Sequence, residues 1–250
     1  MSDKMEVYYF SPTGGTKKVS SIFADGMEKE VIWHDLGSKE TVLEKPESEM
    51  IVVAAPVFGG RIPSVVREKI EKLSGTGKRA VTIAVYGNRA YEDALLEMND
   101  ILIKCGFTVI ASGAFVAQHS MAPEVGAGRP DKEDEKEIHK FAESVKNSTA
   151  TENVHVPGNR PYKAEMNMPV TPISLPSCTK CGKCVTVCPT NAISITDGSL
   201  TTDTEKCILC MACTHVCAEQ ARILPPPLQQ KMEQMLGALK SVRNKNEVFL

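Results

Sequence analysis

Cys178-Thr179-Lys180-Cys181-Gly182-Lys183-Cys184-Val185-Thr186-Val187-Cys188-Pro189 is answered further along by Cys207-Ile208-Leu209-Cys210-Met211-Ala212-Cys213-Thr214-His215-Val216-Cys217-Ala218. Eight of the nine cysteines stand in these two copies of one C-x2-C-x2-C-x3-C spacing, the run that ligates [4Fe-4S] clusters. Thiolates two residues apart can be aimed at one cubane from a tight loop, and the fourth ligand comes from the other run. The spacing predicts one cluster on Cys178, Cys181, Cys184 and Cys217, and a second on Cys207, Cys210, Cys213 and Cys188.

Other chemistries fit the pattern less well. Tetrahedral zinc sites use isolated C-x2-C pairs, which would leave the third cysteine of each triplet over. Disulfides suit a short secreted chain, yet no signal peptide precedes these residues and a reducing cytosol keeps such thiols unpaired. Cys105 sits in an apolar helical run and reads as a small buried hydrophobe with no chemistry of its own.

On these eight ligands, residues 177–225 resemble a bacterial ferredoxin with two [4Fe-4S] clusters, which implies a small α+β domain. One departure is visible: Pro189 follows Cys188, but Ala218 follows Cys217. Proline there contributes no ligand, so the change bears on a cluster's potential and not on its ligand set. Ala192 to Ile195 and Leu200 to Thr202 predict two short strands around the hairpin signal Asp197-Gly198. So small a domain has little apolar core, and metal binding is expected to contribute much of its folding energy.

The full 250 residues leave room for a further domain of ordinary size ahead of it. Net charge is -2 with no basic block, so nothing points to nucleic acid. No apolar run approaches the roughly 18 to 20 residues of a membrane span. The expectation is a soluble, cytoplasmic protein.

The first 148 residues alternate apolar runs with helical patterns. Glu6 to Phe10, Val31 to Asp35, Met50 to Ala55, Ala80 to Val85 and Phe107 to Ala117 read as strands. Lys17 to Met27, Pro63 to Leu73, Ala94 to Cys105 and Asp131 to Lys146 read as helices. The third strand is continuously apolar, as a parallel strand covered on both faces must be. Five such strands predict a doubly wound parallel sheet, whose ligands sit beyond the carboxyl ends of the strands. Three unusual loops lie there: Ser11-Pro12-Thr13-Gly14-Gly15-Thr16, Pro56-Val57-Phe58-Gly59-Gly60-Arg61 and Tyr86-Gly87-Asn88-Arg89-Ala90-Tyr91-Glu92-Asp93. The first has the makings of a phosphate cradle, with glycines, hydroxyls and a helix start. It is neither a P-loop nor a dinucleotide fingerprint, and a capped turn is its plain reading when taken alone.

With the three loops in place, residues 4 to about 148 resemble a flavodoxin, and the whole resembles a family of flavodoxin-ferredoxin fusion proteins of anaerobic bacteria and archaea. Tyr86-Gly87-Asn88-Arg89 with Tyr91 and Asp93 is typical of that family. The resemblance implies an FMN whose phosphate is held by Ser11, Thr13, Gly14, Gly15 and Thr16, with Lys17 either adding a charge or standing solvated. It implies that Pro56, Val57, Phe58, Gly59 and Gly60 flank the ring, and that Phe58, Tyr86 and Tyr91 stack on it unless they pack in the core. Gly87 and Asn88 would meet the pyrimidine edge, with Arg89 and Asp93 nearby. Gly59 would tune the flavin through a peptide that reorients on reduction, glycine allowing either sign of φ.

The loop Gln118 to Pro130 is long for its place and is expected to cover the flavin. Arg61, Arg89 and Arg129 would form a rim there or be solvated; His119 would tune the flavin or be structural. Residues 149–176 read as an extended proline-bearing linker, and 226–250 as an amphipathic helix docking on the first domain or on a second subunit of a homodimer. The implied function is electron transfer between the two clusters and the flavin, with a redox protein as donor or acceptor. The alternatives are an FMN-dependent reductase of a small molecule and, behind it, a redox sensor.

Overall fold

The computed structural model describes residues 4–41, 43 and 45–250. Five parallel strands form as expected: β1 (Lys4–Tyr9), β2 (Glu30–Asp35), β3 (Met50–Pro56), β4 (Arg79–Tyr86) and β5 (Thr108–Val116). They lie in the order 2-1-3-4-5, which is the flavodoxin-like doubly wound order. The helices are α1 (Gly15–Met27), α2 (Ser64–Ile70), α3 (Ala94–Lys104) and α4 (Lys132–Lys146).

Alternation along β3 divides the core. Ile51, Val53 and Ala55 face Val66 and Ile70 of α2 and Leu95, Met98 and Leu102 of α3. Met50, Val52 and Ala54 face Val19, Phe23 and Met27 of α1 and Phe141, Ala142 and Val145 of α4. Successive side chains of a strand point to opposite faces, so an unbroken apolar run is what a sheet covered twice requires. α4 starts at a capping box in which Asp131 accepts from the backbone of Glu133 and Asp134.

The sheet has a sixth strand that the sequence reading did not contain. β10 (Glu247–Phe249) runs antiparallel to β5, Val248 opposite Gly113. The helix expected over 226–250 is therefore shorter: α7 spans Pro226–Leu236 and passes through a single turn of 3-10 helix, Gly237–Leu239. Beyond Val242 the apolar spacing of 3.6 gives way to Arg243-Asn244-Lys245-Asn246, whose amides are bonded to the first domain: Val116 donates to Asn246 Oδ1 at 2.9 Å.

Residues 149–176 carry little regular structure, yet they are tied down along their length. Asn153 Oδ1 accepts from Val109 N, and Val154 N donates to Val109 O. Asp93 accepts from the backbone of Asn159 and Lys163. Asp100 pairs with Arg160, and Gly158 lies so close to Leu96 that a Cβ would meet its Cδ2 at 2.7 Å. The stretch is a strap rather than a free linker.

Residues beyond it form two ribbons, β6 (Ile173–Ser174) with β9 (Arg222–Ile223) and β7 (Ile193–Thr196) with β8 (Ser199–Thr202), plus one-turn helices α5 (Lys183–Thr186) and α6 (Ala212–His215). Asp197 and Gly198 both have positive φ, 50° and 68°, the backbone of the type I′ hairpin that Asp-Gly favours.

Candidate functional site

The two cysteine runs fold alike, residue for residue. Lys180 and Leu209, each preceding the second cysteine of its run, have φ of 56° and 52°; Gly182 and Met211, each following it, have 78° and 65°; Asn191 and Gln220 have 55° and 50°. Repeated left-handed residues turn successive N–H groups inward and make a concavity suited to a negatively charged group. In each run the amide four residues beyond the last cysteine donates to that cysteine's sulfur: Ala192 N to Cys188 Sγ at 3.2 Å and Ala221 N to Cys217 Sγ at 3.3 Å.

Each concavity collects a mixed set of thiols. One is lined by Cys178, Cys181, Cys184 and Cys217, the other by Cys207, Cys210, Cys213 and Cys188. Among the described residues no three Cys, His, Asp or Glu converge on a point that could hold a single metal ion. Burial sets the thiols apart. Cys181 is exposed, whereas Cys184, Cys188 and Cys213 are buried. Burial pushes Cys210 up to about 12 and raises Cys207 and Cys213 in the same direction.

A cavity of about 430 Å³ lies at the carboxyl ends of the strands, within the size range of a cofactor site. Its floor includes Ser11, Pro12, Thr13, Gly15 and Thr16. Gly14 takes φ 86° ahead of α1, and the first turn of that helix holds no acidic residue to neutralise its positive end. Ser11 Oγ accepts from Lys17 N at 2.9 Å, closing the loop. Pro56, Val57, Phe58 and Gly59 form one wall. There Phe58 and Arg61 exchange two backbone bonds across Gly59 (φ 62°) and Gly60 (φ 97°), a turn that requires φ > 0 at both central positions. Tyr86, Gly87 and Arg89 form the other wall with His119, whose ring covers Gly87 so closely that a Cβ would meet its Cδ2 at 2.4 Å.

His119 Nδ1 accepts from Met121 N (3.1 Å) and Ala122 N (3.2 Å). That leaves the hydrogen on Nε2, and burial, with Arg89 nearby, lowers its pKa from 6.5 to about 4. His119 is thus a neutral, fixed donor at the cavity. Overhead the cavity is partly covered by Ala164, Met166 and Met168 of the strap, Leu209 and Cys210 of the second cysteine run, and Met232, Met235 and Leu236 of α7. Leu228, Met232 and Leu236 pack with Met121, Ala122 and Val125, so α7 docks on the first domain, on the Gln118 to Pro130 loop.

Residues 177–225 match the family described as a 4Fe-4S dicluster domain. The chain joins a flavodoxin-like domain to a 4Fe-4S dicluster domain. No curated protein sequence matches it. Among solved structures, the first part is similar to oxidised flavodoxin 1 from Bacillus cereus, at 17% identity over 58% of this chain and 99% of that one, TM-score 0.46. It is similar also to the Streptococcus pneumoniae TIGR4 flavodoxin, at 18% over 56% and 95%, TM-score 0.44. The Fusobacterium nucleatum flavodoxin bound to flavin mononucleotide gives 16% over 57% and 96%, TM-score 0.45.

Several residues expected at the cofactor lie elsewhere in the flavodoxin-like domain. Asn88, fully buried, donates from Nδ2 to Leu239 O and Val242 O and accepts from Asn244 N, holding the segment after α7. Tyr91 donates its hydroxyl to Glu247 at 2.7 Å and packs against Tyr86, whose own hydroxyl bonds Lys245 O. Asp93 holds the strap, and Gly60 is roofed by Glu92. The expected arginine rim is reduced to Arg89. Arg61 and Arg67 converge on buried Glu97, Arg61 also donating to Lys163 O, while Arg129 pairs with buried Asp134 and donates to Asn244 O. Lys17 neither joins the cradle nor stands free; its ammonium lies over the rings of Trp33 and Tyr9, and burial lowers its pKa to about 8. Cys105, half-buried, donates weakly to Ile70 O and Glu71 O. The contacts of the strap and the tail went unread because their partners lie 44 to 159 positions away; a glutamate inside the apolar run Ala94-Leu95-Leu96-Glu97-Met98 was the available signal.

Proposed function

We propose that the protein is an electron-transfer flavoprotein in which two [4Fe-4S] clusters exchange electrons with an FMN held in the 430 Å³ cavity. The observation that carries the reading is the composition of that cavity: the Ser11 to Thr16 loop and a cluster cysteine, Cys210, line the same space. Flavin supplies one- and two-electron steps when bound, and iron-sulfur clusters move single electrons. In this reading Thr13, Gly15, Thr16 and the start of α1 take the phosphate, Phe58 and Tyr86 border the ring, and the His119 Nε2–H offers it a hydrogen bond. Met166, Met168 and Met232 lie over it. A cluster cysteine in the lining of the same cavity supports relay to another redox protein over reduction of a small molecule. Among the described residues no helix is long and apolar enough to cross a membrane.

The test is an anaerobic preparation assayed for iron, acid-labile sulfide and flavin, followed by reductive titration. About eight iron atoms and one FMN per chain are expected. Zinc in place of iron, or no flavin, would overturn the assignment.

A further inference from the structure

We propose that the two cluster sites have a fixed order: the site of Cys207, Cys210, Cys213 and Cys188 is the flavin's neighbour, and the site of Cys178, Cys181, Cys184 and Cys217 is the port facing outside redox partners. The inference rests on the relay proposed above and adds which site does what.

The two sites differ in where they open. Cys210 lines the flavin cavity, and no cysteine of the other site does. Ile208 and Cys210 pack against the flavodoxin-like core, and Cys207 packs in the cluster formed by α7 and the Gln118 to Pro130 loop. The other site has a cysteine at the surface. Cys181 is exposed, and the side chains about it, Thr179, Lys180, Lys183 and Glu219, are polar or charged. Such a face can meet a hydrated protein surface, whereas the first site is walled on its flavin side by Leu209 and the methionine roof. The near-identical backbones of the two runs make the difference one of surroundings. Solvent exposure is among the factors that set a cluster's potential, so the two ought to be distinguishable in a titration.

The electrons balance simply. With clusters bound, Cys178, Cys181, Cys184 and Cys217 would hold the group that takes single electrons from a reduced carrier protein, and Cys207, Cys210, Cys213 and Cys188 the group that hands them to the flavin; two electrons and two protons from solvent would complete the flavin's reduction.

The experiment compares Cys181→Ser with Cys207→Ser in the flavin-loaded full-length protein. Neither residue is the ligand that its run lends to the other site. The readout is microwave-power saturation of the half-reduced flavin EPR signal, which a neighbouring reduced cluster relaxes. Relaxation retained in Cys181→Ser and lost in Cys207→Ser supports the order; the reverse, or equal loss in two variants that each keep one cluster, overturns it. Should either variant fail to assemble, wild-type protein treated with limiting ferricyanide serves instead. The exposed cluster is expected to lose iron first and show a [3Fe-4S] signal; once the oxidant is removed and the sample is reduced with dithionite until the half-reduced flavin signal appears, relaxation that persists supports the order, and relaxation lost with the first iron overturns it. Iron and flavin analysis of the same samples keeps this apart from the relay itself, which fails if wild-type protein lacks either cofactor.

Discussion

Residues 4–146 bury Phe10, Phe23, Phe115, Phe141 and whole strands of aliphatic side chains on the two faces of a sheet, whereas residues 177–225 contain no Phe, Tyr or Trp at all. Three of the side chains that the second region does bury are cysteines, Cys184, Cys188 and Cys213. Apolar area stabilises the first region at roughly 25 cal/mol per Å²; the second has less of it, and ligand bonds are expected to supply much of its stability. The contrast teaches that one chain can carry two domains answering to different chemistry, and it can be broken experimentally.

The largest effect belongs to metal. Chelating iron under reducing conditions is expected to abolish the structure of 177–225 while the sheet survives, read as loss of the amide resonances of 177–225 with those of β1 to β5 retained. If both regions melt together, the contrast is wrong. Next comes Phe141→Ala, which removes a ring packed on Phe23 and Phe115 and is expected to cost about 3–5 kcal/mol in urea unfolding. A loss under about 1 kcal/mol would mean that α4 contributes little to the sheet.

The third concerns pH. His119 has a folded pKa of about 4 against an ordinary 6.5, so between those values the unfolded chain binds the extra proton. Its contribution is therefore complete above pH 6.5 and is lost as pH falls toward 4, by up to roughly 3 kcal/mol. His119→Gln should flatten that slope, and an unchanged slope would place its origin elsewhere. Smallest is Asn88→Ala, which strands the carbonyls of Leu239 and Val242 at a cost of about 1–3 kcal/mol. It sharpens the comparison by loosening the join between the regions and neither core, so faster proteolysis near Arg243 with unchanged iron content is the expected result.

How much of this was legible follows the same division. The cysteine spacing and the period-2 and period-3.6 runs are local signals, so the grouping of the cysteines about two concavities, five strands and four helices could be read directly. The three loops were recognisable as unusual because glycines and aromatics crowd them, but what they bind is decided by distant residues. Asn88, Tyr91 and Asp93 looked like cofactor contacts; they hold residues 239–247 and the strap, since a buried amide or carboxylate takes whichever partner the tertiary fold brings. Arg61 and Arg129 read as part of a flavin rim or as solvated charges, because no local spacing pairs them with Glu97 and Asp134, which the fold buries. β10 is three residues long, too short to announce itself by alternation.

That short strand changes the kind of connection between the domains. A flexible linker of the strap's length would let its far end wander about 30 Å, so that a tethered domain would meet its neighbour only as often as a millimolar solute does. Here the dicluster domain leaves the sheet after α4 and returns to it at β10. It is topologically an insertion between two neighbouring strands, held by both its ends, and cannot swing away without unzipping the sheet's edge.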